Sequence, residues 1–196
     1  MKNIFLDCGA HFCEGLTELY NAGVVDQSFE IHVFEANPSC NIEERVKHFP
    51  LKVTAHQKAV WIEDGFVFFN QENHKESKTG CAGDGYSDTD GTGSSVCGIG
   101  FNLYEYKYDA PIKVESVDFS RFIAELSKEA NIICKMDIEG SEFAVLRHLI
   151  QKETMQKINE IYIEFHQRFM LDESGETVQK IVDDITKLGV KVHRWY

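Results

Sequence analysis

The chain has 196 residues, 43% of them hydrophobic, with 20 basic against 32 acidic side chains and a formal charge of −12 with neutral histidines. This hydrophobic content excludes an intrinsically disordered chain, and the length predicts a single domain, residues 1–196, able to bury a full core. The acidity disfavours nucleic acid and anionic membrane surfaces as partners, and no apolar run approaches the roughly 20 residues of a membrane helix.

Short β-rich runs alternate with amphipathic stretches, which predicts an α/β fold with a mostly parallel sheet flanked by helices. Asn3–Asp7 reads as a buried first strand, and the chain reaches Asp7 before any secretory apolar region forms, so a cytoplasmic protein is expected. Glu14–Ala22 reads as a helix with Leu16, Leu19 and Tyr20 on one face, stopped by Gly23. Glu30–Glu35 is a second strand, Ser39 is placed to cap a helix over Cys40–His48, and Leu51–His56 is a third strand. Lys58–Ile62 and Phe66–Asn70 flank Asp64-Gly65, a hairpin signal. Gln71–Gly100 is rich in Gly, Ser, Asp and Thr and is expected to be a mobile loop insertion over the acceptor side. Ile112–Val117 is extended, and Asp118 or Ser120 caps a helix ending near Lys128. Asn131–Asp137 is an apolar strand ending in an acid, followed by an amphipathic Glu139–Ile150. Ile158–Phe165, a helix over Glu173–Leu188 and a strand at Val190–Tyr196 complete the chain, and six or seven core strands both fit.

The six cysteines form no C-x-x-C pair, so neither a zinc ribbon nor a thioredoxin-type site is suggested, and reduced, packed thiols are expected. Asp84–Gly91 has the look of an EF-hand loop, but placing Gly91 at the invariant glycine puts Tyr86 first and Cys97 last, which fails the pattern.

In an open parallel sheet, ligands meet the carboxyl ends of the strands, so the polar residues there carry the chemistry. They are Asp7, Glu35, Asp137, Glu164 and His166. The turn Asp7-Cys8-Gly9-Ala10-His11 puts a small residue after the first strand, where a ligand can approach the backbone. His11 stands where a G-x-G-x-x-G motif wants its second glycine, which argues against a pyrophosphate and is compatible with S-adenosylmethionine. Glu35, in Phe34-Glu35-Ala36-Asn37-Pro38, is an acid at the second strand's end, able to accept both ribose hydroxyls of a nucleoside. In Lys135-Met136-Asp137-Ile138-Glu139-Gly140-Ser141-Glu142, two acids leave a buried strand one residue apart, and Glu142 reads as an acid favouring a helix dipole.

Together these segments resemble the FkbM family of S-adenosylmethionine-dependent methyltransferases. The landmarks are the turn at Asp7–Ala10, the Phe34–Pro38 segment, the hairpin after Ala59-Val60, Ser94-Ser95, Val117-Asp118-Phe119, Lys135–Glu142 and Glu164-Phe165-His166, in family order over roughly residues 3 to 170. The resemblance implies a class I methyltransferase sheet of Rossmann-like form and methylation of a hydroxyl oxygen on a small molecule or glycan. It also implies the roles of residues. Asp7, Gly9 and Ala10 would line the methionine end of the cofactor, with His11 shaping the pocket. Glu35 would hold the ribose, Ala36 and Asn37 would lie beside the adenosine, and Lys58 and Ala59 would meet the adenine edge. Asp137 would sit near the methyl donor, Glu139 beside the acceptor entrance, and Glu164 and His166 at the same mouth.

An alcohol must lose its proton during transfer, and His166, with a reference pKa of roughly 6.5, is the preferred general base, Asp137 the second choice. Asp137, Glu139, Glu164 and His166 could instead form a hard-cation site, but spacing does not show convergence. No metal ligand is therefore assigned, and Mg²⁺ is the less favoured alternative. An RNA cap or ribose methyltransferase, a nicotinamide oxidoreductase and a non-catalytic nucleoside-binding module are the competing readings.

Overall fold

The computed structural model describes residues 2–71, 94–97, 109–167, 170 and 172–195. The strands are β1 (Asn3–Cys8), β2 (Phe29–Phe34), β3 (Val53–His56), β4 (Ala59–Trp61), β5 (Gly65–Phe69), β6 (Ile112–Asp118), β7 (Asn131–Met136), β8 (Glu160–Ile163) and β9 (Lys191–Arg194). The helices are α1 (Glu14–Asn21), α2 (Ile42–Arg45), α3 (Phe119–Glu125), α4 (Glu142–Gln151) and α5 (Gly175–Lys187).

The near-continuous apolar character of β1 and β7 follows from burial on both faces. Ile4, Leu6 and Cys8 join a core with Phe119 and Ile123 of α3, Leu146 and Leu149 of α4, and Ile181 and Ile185 of α5. Phe5, from the same strand, packs on the other side with Leu16 and Leu19 of α1 and Ile42 of α2. Helices thus cover both faces of one six-stranded sheet in the order β3-β2-β1-β7-β8-β9, with every pairing parallel. The order reverses between β1 and β7, so their carboxyl ends open the crevice in which such folds bind ligands. The fold is the expected Rossmann-like α/β arrangement, with six strands in this sheet among the described residues.

Two local expectations change. The runs around Asp64-Gly65 do not pair with each other as a hairpin. β6 lies between them, parallel to β4 and antiparallel to β5, in a separate three-stranded sheet. Val60 of β4 and Val117 of β6 enter the same core as β1, so this sheet is packed against the main one. The helix expected over Cys40–His48 is broken: Pro38–Cys40 is a 3-10 turn capped by the Asn37 side chain rather than by Ser39. Asn41 then adopts φ +48° before the single turn of α2. The hydroxyl-rich segment expected as a loop lies outside the described residues except for Gln71 and 94–97, where Ser95 bridges Asn70. The EF-hand-like stretch and Cys81 also lie outside them. The five described cysteines are free thiols, as expected, and Cys8, Cys13, Cys40 and Cys134 are buried. Among the described residues no helix is long and apolar enough to cross a membrane.

Candidate active site

The turn after β1 is held from three sides. The Gly9 and Ala10 amides both donate to the Phe34 carbonyl at 3.0 Å, tying the turn to the end of β2. Gly9 has φ +75°, and a Cβ built there would stand 1.7 Å from the Asp137 carbonyl oxygen, so only glycine fits. The turn therefore rests directly on the exit of β7. The third support is Glu35, 7% exposed, whose Oε2 accepts from the His11 amide and Oε1 from the Asn37 amide, both at 2.7 Å. Burial pushes its carboxyl above the usual range, and the Asn37 and His11 amides pull it back down. Gln57 donates to the Glu35 carbonyl at 2.7 Å from the loop after β3. His11 and Cys13 both sit at positive φ, so this segment is strained as well as braced.

Asp7 and Lys135 are direct partners across β1 and β7. Both side chains are almost completely buried on the α1 face, where Gly15 of α1 leaves room for the lysine: a Cβ there would stand 3.0 Å from Lys135 Cε. The ammonium donates to the Gly9 carbonyl at 2.8 Å and lies 3.4 Å from Asp7 Oδ1 and 3.3 Å from Asp137 Oδ2. Burial works against the charge of Lys135, yet Asp7 and Asp137 outweigh it and hold the group protonated. Among the described residues neither carboxylate oxygen of Asp7 has a hydrogen-bond partner in good geometry, and burial raises its pKa against the pull of Lys135 and of the Leu16 amide. Lys135 thereby links this sealed carboxylate to Asp137 and to the Gly9 turn.

The second half of the site gathers around His166. Beyond β7 the chain passes through Glu139 at φ +51° and Gly140 at φ +94°, a bend that turns Glu139 back toward the end of β8. Ser95 donates to the Glu139 carbonyl at 2.5 Å. Glu142, fully buried at the start of α4, accepts from the Gly140 amide at 2.8 Å and from the His166 amide at 2.7 Å. Its Oε1 also lies 3.2 Å from His166 Nδ1. The other ring nitrogen, Nε2, stands 3.4 Å from Glu139, 3.6 Å from Glu164 and 3.7 Å from Asp137. Burial opposes the charged imidazole, but Glu139, Glu142 and Asp137 prevail and carry its pKa up to about 10. Burial likewise drives Glu139 well above the carboxylate range, with Asp137, Glu142 and Glu164 adding to it against the attraction of His166. The ordinary histidine pKa from which the sequence argues for a base therefore does not apply in this setting.

The expected site residues fall into one connected set with an outlier. Asp7, Gly9, Ala10, His11, Glu35 and Asn37 are linked to one another, and Asp137, Glu139, Glu164 and His166 to each other, with Gly9 and Lys135 joining the halves. Ala36 packs against the small core that contains buried Ala59. Lys58 is the outlier, because its ammonium pairs with Glu115 of β6 at 2.9 Å. Asn37 turns its side-chain oxygen to the Ser39 amide and the Gln71 side chain. Lys135 and Glu142 carry more of the geometry than their sequence positions suggest. The signal for Lys135 was a charged residue inside an apolar strand, opposite Asp7.

A model of the methyltransferase FkbM domain matches residues 7–191. The crystal structure of methyltransferase FkbM from Methylobacillus flagellatus KT is similar at 15% identity with a TM-score of 0.42, over 77% of this chain and 30% of that one. The chain thus spans less than a third of the solved protein's length. No curated protein matches the chain.

Proposed function

The chain belongs to the FkbM methyltransferase family, and on that premise we propose that it transfers a methyl group from S-adenosylmethionine to a hydroxyl oxygen of a small molecule or glycan. The observation that carries this reading is the direct seating of the Gly9 turn on Asp137, which sets a nucleoside-type acid, Glu35, and the His166 cluster on either side of one crevice. S-adenosylmethionine supplies an electrophilic methyl group on a sulfonium sulfur and needs no phosphate cradle, in keeping with His11 in the turn.

The residues present fit such a group. Glu35 is already fixed by two amides and retains lone pairs for ribose hydroxyls. Gly9, Ala10 and His11 offer backbone close to the crevice, and Ala36, Asn37 and Ala59 border the nucleoside side. Asp7 acts through Lys135, which anchors both the Gly9 carbonyl and Asp137. Asp137, Glu139, Glu164 and His166 face the acceptor. Their task is to orient its oxygen toward the methyl group, which alone contributes several kcal/mol to such reactions, and to take up its proton. Asp137 is the group that takes the proton, and the charged imidazole of His166, 3.7 Å away, holds its carboxylate in place.

The test is release of S-adenosylhomocysteine from S-adenosylmethionine over a panel of sugar and small-molecule alcohols. His166→Ala is expected to keep donor affinity and cut turnover by about 10²–10⁴-fold. Undiminished turnover would remove the cluster from catalysis. Donor binding with no transfer to any hydroxyl would leave a nucleoside-binding module instead.

A further inference from the structure

We infer that Asp137, Glu139, Glu164 and His166 form a binding site for one divalent cation at the carboxyl ends of β7 and β8. This deepens the reading above, and its consequence for the acceptor rests on that reading. The basis is the placement of the donor atoms. Asp137, Glu139 and His166 each present one ligand atom, all within 4.8 Å of one another, and Glu164 adds an oxygen 3.6 Å from His166 Nε2. Around a small cation with bonds of about 2.1 Å, neighbouring ligand atoms stand about 3.0–3.5 Å apart. The separations from Nε2, at 3.4, 3.6 and 3.7 Å, lie at or just beyond that interval. All three exceed the ~2.7–2.9 Å of a charge-assisted hydrogen bond, so they describe a ligand shell better than a set of hydrogen bonds.

The second observation comes from outside the four residues. Glu142 is fully buried and grips His166 twice, at its amide and at Nδ1. The ring is thereby oriented with Nε2 turned toward the three carboxylates. A ligating histidine characteristically carries such an outer carboxylate on its other nitrogen, which fixes tautomer and rotation. Ser95, bonded to the Glu139 carbonyl, restrains the backbone of the second ligand residue.

One imidazole with carboxylate oxygens suits Mn²⁺ or Zn²⁺ better than Ca²⁺, which takes oxygen ligands. A cation here would accept the hydroxyl oxygen of the acceptor as a further ligand and lower its pKa. The acceptor class is then an alcohol or vicinal diol, and His166 serves as a ligand rather than as the base.

The experiment is titration of the EDTA-treated full chain with Mn²⁺, read as the electron paramagnetic resonance signal of free Mn²⁺, without S-adenosylmethionine. One Mn²⁺ per chain is expected at micromolar concentration. Glu139→Gln and His166→Ala should each weaken it at least about 10-fold, Glu142→Gln about 10–100-fold, and Glu115→Gln on β6 not at all. Glu139→Gln keeps the side chain's shape, so it stays informative if His166→Ala folds poorly. No saturable binding below about 1 mM, or equal binding by the wild type and Glu139→Gln, would overturn the site. S-adenosylmethionine is titrated into the same sample. If S-adenosylmethionine binds but Mn²⁺ does not, the cation site alone is overturned; if Mn²⁺ binds but S-adenosylmethionine does not, the cation site stands and the S-adenosylmethionine reading is overturned.

Discussion

Glu35 and Glu142 do the same physical work on opposite sides of the crevice. Each is a buried carboxylate that accepts amides from two different strand exits, Glu35 from His11 and Asn37, Glu142 from Gly140 and His166. Glu35 was legible in the sequence because it ends a strand in register with the Gly9 turn. Glu142 was not, because an acid in the first turn of a helix is ordinarily explained by the dipole alone. Bracing and ligand binding can be separated at Glu35. In Glu35→Gln one of the two amides loses its acceptor, so a modest fall in Tm is expected. If the carboxylate also receives ribose hydroxyls, affinity for S-adenosylmethionine should drop about 10–100-fold, the scale of hydrogen bonds to a charged group. A lower Tm with unchanged affinity would restrict Glu35 to bracing the turn.

Among the elements, β3 supplies an acid-sensitive contact away from the crevice. His56, at its end, stacks on Phe34 of β2 with ring centroids 4.4 Å apart and meets Phe122 of α3 edge-on. Its Nε2 lies 3.1 Å from His32 Nδ1, and His32 in turn contacts Glu30. Burial, then the neighbouring His32 and Lys58, lower the pKa of His56 to about 4, and burial lowers that of His32 against the pull of Glu30. The unfolded chain, with an ordinary value of about 6.5, takes the proton first. Stability is therefore intact above about pH 6.5 and is lost as pH falls toward 4. His56→Phe keeps a ring on Phe34 and should flatten that part of the Tm–pH curve, and superimposable curves for variant and wild type would refute the assignment. The parallel strands themselves were legible, because burial on both faces leaves long apolar runs that end in acids. The second sheet was misread for a topological reason. Asp64-Gly65 signals a local hairpin, but β6 arrives from residues 112–118 to separate the two runs, and no local pattern encodes such a long-range insertion.

At the scale of the molecule, the reversal of strand order between β1 and β7 brings distant segments to one crevice, residues 7–11 and 35–37 from one half and 137–142 and 164–166 from the other. The landmarks were readable one by one, but the contacts that unite them were not. The approach of Gly9 to Asp137 and of Lys135 to the Gly9 carbonyl depends on parallel pairing across more than a hundred residues. The charge of −12 suits a cationic sulfonium nucleoside better than a polyanion. Calorimetric titration of the full chain with S-adenosylmethionine, S-adenosylhomocysteine and NAD tests the central claim most directly. One molecule of either sulfur nucleoside should bind per chain at micromolar concentration, with NAD silent. Binding of NAD, or of neither sulfur nucleoside, would contradict it.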